Sequence, residues 1–124
     1  MAKKILFVED EPNITKLLSM RLKASGYEVL TASDGAEGLE KARSQNPDLI
    51  ILDLMMPKME GYEVCRLLKF DEKYKHIPII ISSAKSTDED RHLGEKVGAD
   101  DYLSKPYDPE DLLQKINKYI GPAV

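Results

Sequence analysis

Several things are scarce or missing in this sequence, and each closes off a class of protein. There is one cysteine, Cys65, so no internal disulfide can form. A scaffold held by disulfide staples is excluded, and a reducing compartment fits. No apolar run reaches membrane-spanning length, and the stretch behind the N-terminal MAKK is too short for a signal peptide. Positive charge is not in excess. Lys and Arg total 18 against 22 Asp and Glu, a net charge of −4. Such a mildly acidic domain lacks the electrostatic footprint of a nucleic-acid binder. Low-complexity tracts, long linkers and internal repeats are also absent. The two histidines, His76 and His92, have no metal-ligand spacing.

What is present suits one packed domain over 1–124, expected to be cytoplasmic and globular. Hydrophobic residues make up 42% of the 124, enough for a core. Apolar runs stand at Ile5-Leu6-Phe7-Val8, Leu49-Ile50-Ile51-Leu52 and Ile77-Pro78-Ile79-Ile80-Ile81. Weaker strands are expected at Glu28-Val29-Leu30-Thr31-Ala32 and Asp101-Tyr102-Leu103-Ser104. Helix-period segments lie between and after them, near 12–25, 35–44, 62–70, 87–97 and 109–119. Glu11-Pro12 and Asp108-Pro109 read as helix starts, Ser86 with Glu89 as a capping box, and Gly26 and Gly98 as helix stops.

Strict strand–helix alternation implies an α/β fold, a doubly wound five-stranded parallel sheet with five helices. Continuous apolar runs mean burial on both faces, which makes strands one, three and four central and leaves two and five at the edges. Right-handed crossovers then give the flavodoxin-like order 2-1-3-4-5. Ligands in such sheets bind beyond the carboxyl ends of the strands where the order reverses, here between strands one and three.

The residues at that rim are Glu9, Asp10 and Glu11 after strand one, and Asp53 after strand three. Ser82-Ser83-Ala84 ends strand four and Lys105-Pro106 ends strand five. Close carboxylates raise one another's proton affinity unless a cation compensates. An all-oxygen acidic site with few fixed ligands suits Mg²⁺. An aspartate beside a hard cation and a lysine is a candidate phosphoryl acceptor. Bland readings stand beside these. Glu11 is better read as a helix cap, Lys105 could be a solvated surface lysine, and Tyr102 could be ordinary edge-strand packing. Strand alternation lets only one of Ser82 and Ser83 face the rim. Cys65 reads as a buried small apolar residue.

Longer motifs sharpen the picture. They are Leu6-Phe7-Val8-Glu9-Asp10-Glu11-Pro12, Asp48-Leu49-Ile50-Ile51-Leu52-Asp53-Leu54-Met55-Met56-Pro57, Gly61-Tyr62-Glu63, Ser83-Ala84-Lys85 and Gly98-Ala99-Asp100-Asp101-Tyr102-Leu103-Ser104-Lys105-Pro106. Over essentially the whole chain the sequence resembles the receiver domain of bacterial two-component response regulators. The resemblance implies Asp53 as phosphate acceptor, with Mg²⁺ held by Glu9, Asp10, Asp53 and the Met55 backbone carbonyl. It implies Ser83 as the hydroxyl that turns towards the phosphate, Lys105 as its charge partner and Tyr102 as the aromatic that moves inward. It selects Ser83 over Ser82. Glu9 departs from the aspartate of many members, and the extra methylene leaves room for a metal contact through water.

The resemblance also implies a switch rather than an enzyme in the usual sense. A histidine kinase or phosphotransfer protein would dock on Ile14, Leu17, Pro106 and Tyr107. The readout surface would be the fourth helix, fifth strand and fifth helix, facing a downstream effector protein or domain, with no direct nucleic-acid or membrane contact. Met55 and Lys85, two positions beyond the acceptor and the switch hydroxyl, would set a long phosphate lifetime. Lys115 and Asn117 stand where DNA-binding relatives carry arginines, so a monomer or a weak phosphorylation-dependent dimer is expected. The chain's closing Gly121-Pro122-Ala123-Val124 suits either a one-domain regulator or the front of a longer one. The alternatives are an aspartate-nucleophile hydrolase of the phosphatase type, or a degenerate receiver acting as a scaffold.

Overall fold

The computed structural model describes residues 2–53, 61–83, 96–105 and 108–122. In chain order the elements are β1 (Lys4–Val8), α1 (Pro12–Ala24), β2 (Glu28–Ala32), α2 (Gly35–Gln45), β3 (Leu49–Asp53), α3 (Gly61–Lys69), β4 (Ile79–Ser83), β5 (Asp101–Ser104) and α4 (Pro109–Ile120). The five strands form one sheet in the order β2-β1-β3-β4-β5, and every pair is parallel. This is the expected flavodoxin-like sheet. Four helices lie among the described residues. The helix expected near 87–97 and its Ser86–Glu89 capping box fall almost wholly outside them.

Alternation along the strands sorts the core into two layers. Leu6, Val8, Ile50, Leu52, Ile79 and Ile81 face α2 and α3, meeting Leu39, Val64 and Leu68. Ile5, Phe7, Leu49, Ile51, Ile80 and Leu103 face α1 and α4, meeting Leu18, Leu22, Leu112 and Ile116. Each fully buried side chain of this kind contributes roughly 1.5–3 kcal/mol. Cys65 lies inside the first layer at 0% exposure, as its helical setting suggests.

The helix ends follow local chemistry. Asp108 accepts the Glu110 N–H at 3.0 Å ahead of Pro109. Glu11 occupies the first helix's cap position but makes no side-chain cap bond. Asp34, which the sequence reading passed over, caps α2 by accepting the Glu37 N–H at 2.8 Å, and Glu37 reaches back to the Ser33 N–H. Gly26 and Gly98 take positive φ of 100° and 88°. The fourth strand starts at Ile79, two residues later than its apolar run, because Pro78 has no N–H to give the ladder. At the amino-terminal pole of the sheet, Lys3 Nζ donates to the Ile120 carbonyl and the Tyr27 hydroxyl to the Gly121 carbonyl.

Candidate functional site

Parallel pairing of β1 with β3 brings Val8 beside Leu52, so the residues that follow, Glu9 and Asp53, stand side by side at the carboxyl ends of the two strands. Both carboxylates are sunk into the rim, at 2% and 5% exposure, whereas Asp10 is exposed. The Glu9 N–H donates to the Ala32 carbonyl at 3.0 Å, holding this corner against β2.

Lys105 arrives from the other side. Its N–H donates to the Ser83 carbonyl at 2.8 Å, continuing the β4–β5 ladder by one residue. Its ammonium then donates to both Glu9 carboxylate oxygens, at 2.7 and 3.1 Å, and to Asp53 Oδ2 at 3.1 Å. The lysine side chain is largely enclosed, so this is not a solvated surface lysine. One cation therefore serves two buried carboxylates. Burial, reinforced by the facing Asp53, pushes the Glu9 carboxyl above the ordinary carboxylate range, and Lys105 offsets only part of that push.

Glu9, Asp10 and Asp53 each offer an oxygen, and these atoms lie within 4.8 Å of one another. Among the described residues, three acidic side chains face one ammonium in a partly buried cluster whose candidate ligands are all oxygen. That donor set fits a hard divalent cation such as Mg²⁺.

The remaining expected site residues divide into two groups. Ser83 is buried at 3% exposure and shares its sheet face with Ile81 and Tyr102, while Tyr102 is half-buried against the α2–α3 layer. On α1, Ile14 is half-buried against the core and Leu17 is 71% exposed. Met55, Lys85, Pro106 and Tyr107 lie outside the described residues.

Two features went unread in the sequence. Ser82 pairs in register with Asp53 and therefore stands on the same sheet face, a relation that counting along β3 and β4 could have exposed. Asp101 accepts from Lys115 Nζ and the Tyr119 hydroxyl, both at 3.1 Å, and from the Tyr102 N–H at 2.8 Å. Its partners come from β5 and α4, and no local pattern pairs them.

A family model described as the response regulator receiver domain matches residues 5–117. The chain belongs to the response regulator receiver family. Among curated relatives, the alkaline phosphatase synthesis transcriptional regulatory protein PhoP of Bacillus subtilis is 47% identical over 116 residues. That match takes in 94% of this chain and 48% of PhoP, so the chain spans about half the length of that relative. Among solved structures, a Vibrio cholerae chemotaxis protein superposes with a TM-score of 0.90 at 37% identity, covering 96% of this chain and 99% of that one. The receiver domain of a Pseudomonas aeruginosa sensor histidine kinase does so with a TM-score of 0.90 at 30% identity. There the coverage is 98% of this chain and 99% of the neighbour, whose active-site cleft coordinates a magnesium ion. Among the described residues of this receiver, no helix is long and apolar enough to cross a membrane.

Proposed function

We propose that this receiver, a single domain over 1–124, takes a phosphoryl group onto Asp53 from a phosphohistidine of a kinase or phosphotransfer protein. The observation that carries the reading is the Lys105 ammonium. It bridges buried Asp53 and Glu9 at the switch point of the sheet, with Asp10 alongside. An Asp53 oxygen forms the new bond to phosphorus as the phosphorus–nitrogen bond of the donor breaks. The imidazole leaves with the bonding pair, neutral if its other nitrogen carries a proton. Glu9, Asp10 and Asp53, with the Met55 carbonyl, would hold Mg²⁺, whose positive charge would offset the negative charge of the transferring oxygens. Lys105 sits one contact from the acceptor and can turn from Asp53 to the new phosphoryl oxygens while Glu9 keeps hold of it.

The added negative charge then biases a two-state surface. Ser83 moves to donate to the phosphoryl group and Tyr102 turns inward behind it. Their shared sheet face supports this pairing. The readout surface comprises β5, α4 and the helix expected between β4 and β5 near 87–97, which lies almost wholly outside the described residues. The partly exposed Ile14 and Leu17, with Pro106 and Tyr107, form the docking patch for the phosphodonor protein. Met55 has no strong hydrogen-bonding group and Lys85 no acceptor with which to activate water, so the aspartyl phosphate is long-lived. The protein is a cytoplasmic switch that acts through an effector protein or domain, as a monomer or weak phosphorylation-dependent dimer. It catalyses only its own phosphorylation and slow dephosphorylation.

The test is incubation with Mg²⁺ and phosphoramidate, followed by intact-mass measurement. Wild type gains one phosphoryl group and Asp53→Asn gains none while keeping its fold. Equal labelling of Asp53→Asn would refute the assignment.

A further inference from the structure

Ser82 has no part in the chemistry described so far, yet its placement singles it out. It is fully buried at 0% exposure. Among the described residues its hydroxyl oxygen has no hydrogen-bond partner. A buried hydroxyl left in that state is costly and is rarely retained without cause. A core position between Ile80 and the strand end would normally take an apolar side chain.

Three relations tie Ser82 to the reacting carboxylate. Ser82 pairs with Asp53 on β3, and on the other side with Leu103 on β5. Register partners in a parallel sheet project from one face, and neighbouring strands lie about 4.8 Å apart. The Ser82 and Asp53 side chains therefore rise side by side. Lys105 starts on the β5 side, two strands from Asp53, yet its ammonium reaches Asp53 Oδ2 at 3.1 Å. Its stem must cross β4, and Ser82 is the β4 residue facing that crossing at the level of Asp53. A small polar side chain lets the lysine pass and leaves a free donor beside the acceptor.

We infer that Ser82 is a positioning residue for phosphoryl transfer. Its hydroxyl donates to the Asp53 oxygen that does not carry phosphorus, once Lys105 has turned to the phosphoryl group. A serine hydroxyl rotates among staggered positions without moving the backbone, so no rearrangement of β4 is needed. The bond is absent at rest and formed as Lys105 departs, so it favours transfer over the ground state. This inference rests on Asp53 being the acceptor.

The experiment measures Mg²⁺-dependent labelling of wild type, Ser82→Ala, Ser82→Thr and Asp53→Asn with phosphoramidate, together with the Tm of each. Ser82→Ala is expected to label about 5–10-fold more slowly at saturating donor, the worth of one hydrogen bond. Its half-saturating donor concentration should not change, and its Tm should match or exceed that of wild type because an orphaned hydroxyl is gone. Ser82→Thr should recover most of the rate. A Ser82→Ala rate within twofold of wild type, or no recovery in Ser82→Thr, overturns the inference while leaving Asp53 in place. Labelling of Asp53→Asn at the wild-type rate, or no labelling of wild type, overturns the acceptor assignment and this inference with it.

Discussion

Adding one methyl group at Gly38 tests how tightly α2 is seated over the strand that carries the acidic pair. A Cβ at this position would stand 2.9 Å from both methyl groups of Val8. Ordinary carbon contacts lie at about 3.5–4.0 Å, so the helix and strand must part by roughly 0.6–1 Å. Val8 is fully buried and β-branched, so its stiff χ1 gives it little freedom to turn a methyl away. Overpacking of this sort costs about 1–3 kcal/mol, and here the upper part of that range applies. Replacing glycine by alanine inside a helix returns about 1 kcal/mol. Gly38→Ala is therefore expected to lose about 1–2 kcal/mol by urea unfolding and roughly 3–8 °C in Tm. Val8→Ala alone should cost about 2–3 kcal/mol through lost burial and a cavity. The double variant should then be less destabilised than the sum, by about 1–2 kcal/mol. Val8 precedes Glu9, so Gly38→Ala should also weaken Mg²⁺ binding in a titration. A Gly38→Ala protein more stable than wild type would mean that helix propensity governs the site and that the close approach carries no energy.

Two further outcomes concern titratable groups. Burial alone would raise the Asp101 carboxyl, but the Tyr102 N–H, the Lys115 ammonium and the Tyr119 hydroxyl outweigh it and hold it below the ordinary value. A lowered folded pKa contributes stability that is complete above the unfolded value near 3.8 and lost as pH falls through the folded one. Wild type should therefore lose more stability than Asp101→Asn on acidification from about pH 6 to pH 3; parallel curves would contradict this. Burial pushes the Cys65 thiol up to about 12 from 9.0, and its Sγ donates to the Val97 carbonyl at 3.6 Å. Neutral solution then holds about a thousandfold less thiolate than for a free cysteine. Iodoacetamide should react at a rate that follows urea unfolding, and labelling of the folded protein at the free-thiol rate would count against the buried placement.

Much of the fold was legible because burial on two faces writes itself as unbroken apolar runs. The central places of β1, β3 and β4 follow from Ile5 to Val8, Leu49 to Leu52 and Ile79 to Ile81, and the polar β2 and β5 go to the edges. The rim was legible for the same reason, since the sheet order alone puts Glu9 beside Asp53. The apolar run through Ile77 looks continuous, but β4 begins at Ile79 because Pro78 has no N–H to donate and meets β3 only as an acceptor, taking the Ile50 N–H at 2.9 Å. The Asp34 cap was hidden in Ser33-Asp34-Gly35, which reads equally well as a turn. The lysine bridge was invisible in its detail. Glu9 and Lys105 are 96 positions apart, and only the extra methylene of glutamate over aspartate hints at its longer reach. The contest between Ser82 and Ser83 depends on which register β4 takes against β3, a property of pairing and not of either strand alone.

The grip of Lys3 and Tyr27 on the last turn of α4 has a practical consequence for anyone instrumenting this protein. Both ends of the described chain emerge at the pole where the strands begin, whereas Asp53 lies where they finish. A fluorophore or affinity handle attached at either terminus would leave the phosphoryl-accepting mouth unobstructed. Such a reporter would also be deaf to local changes there. At the carboxyl end it would register what travels down the roughly 18 Å of α4, so a signal change on phosphodonor addition would measure transmission through that helix and not the arrival of phosphate.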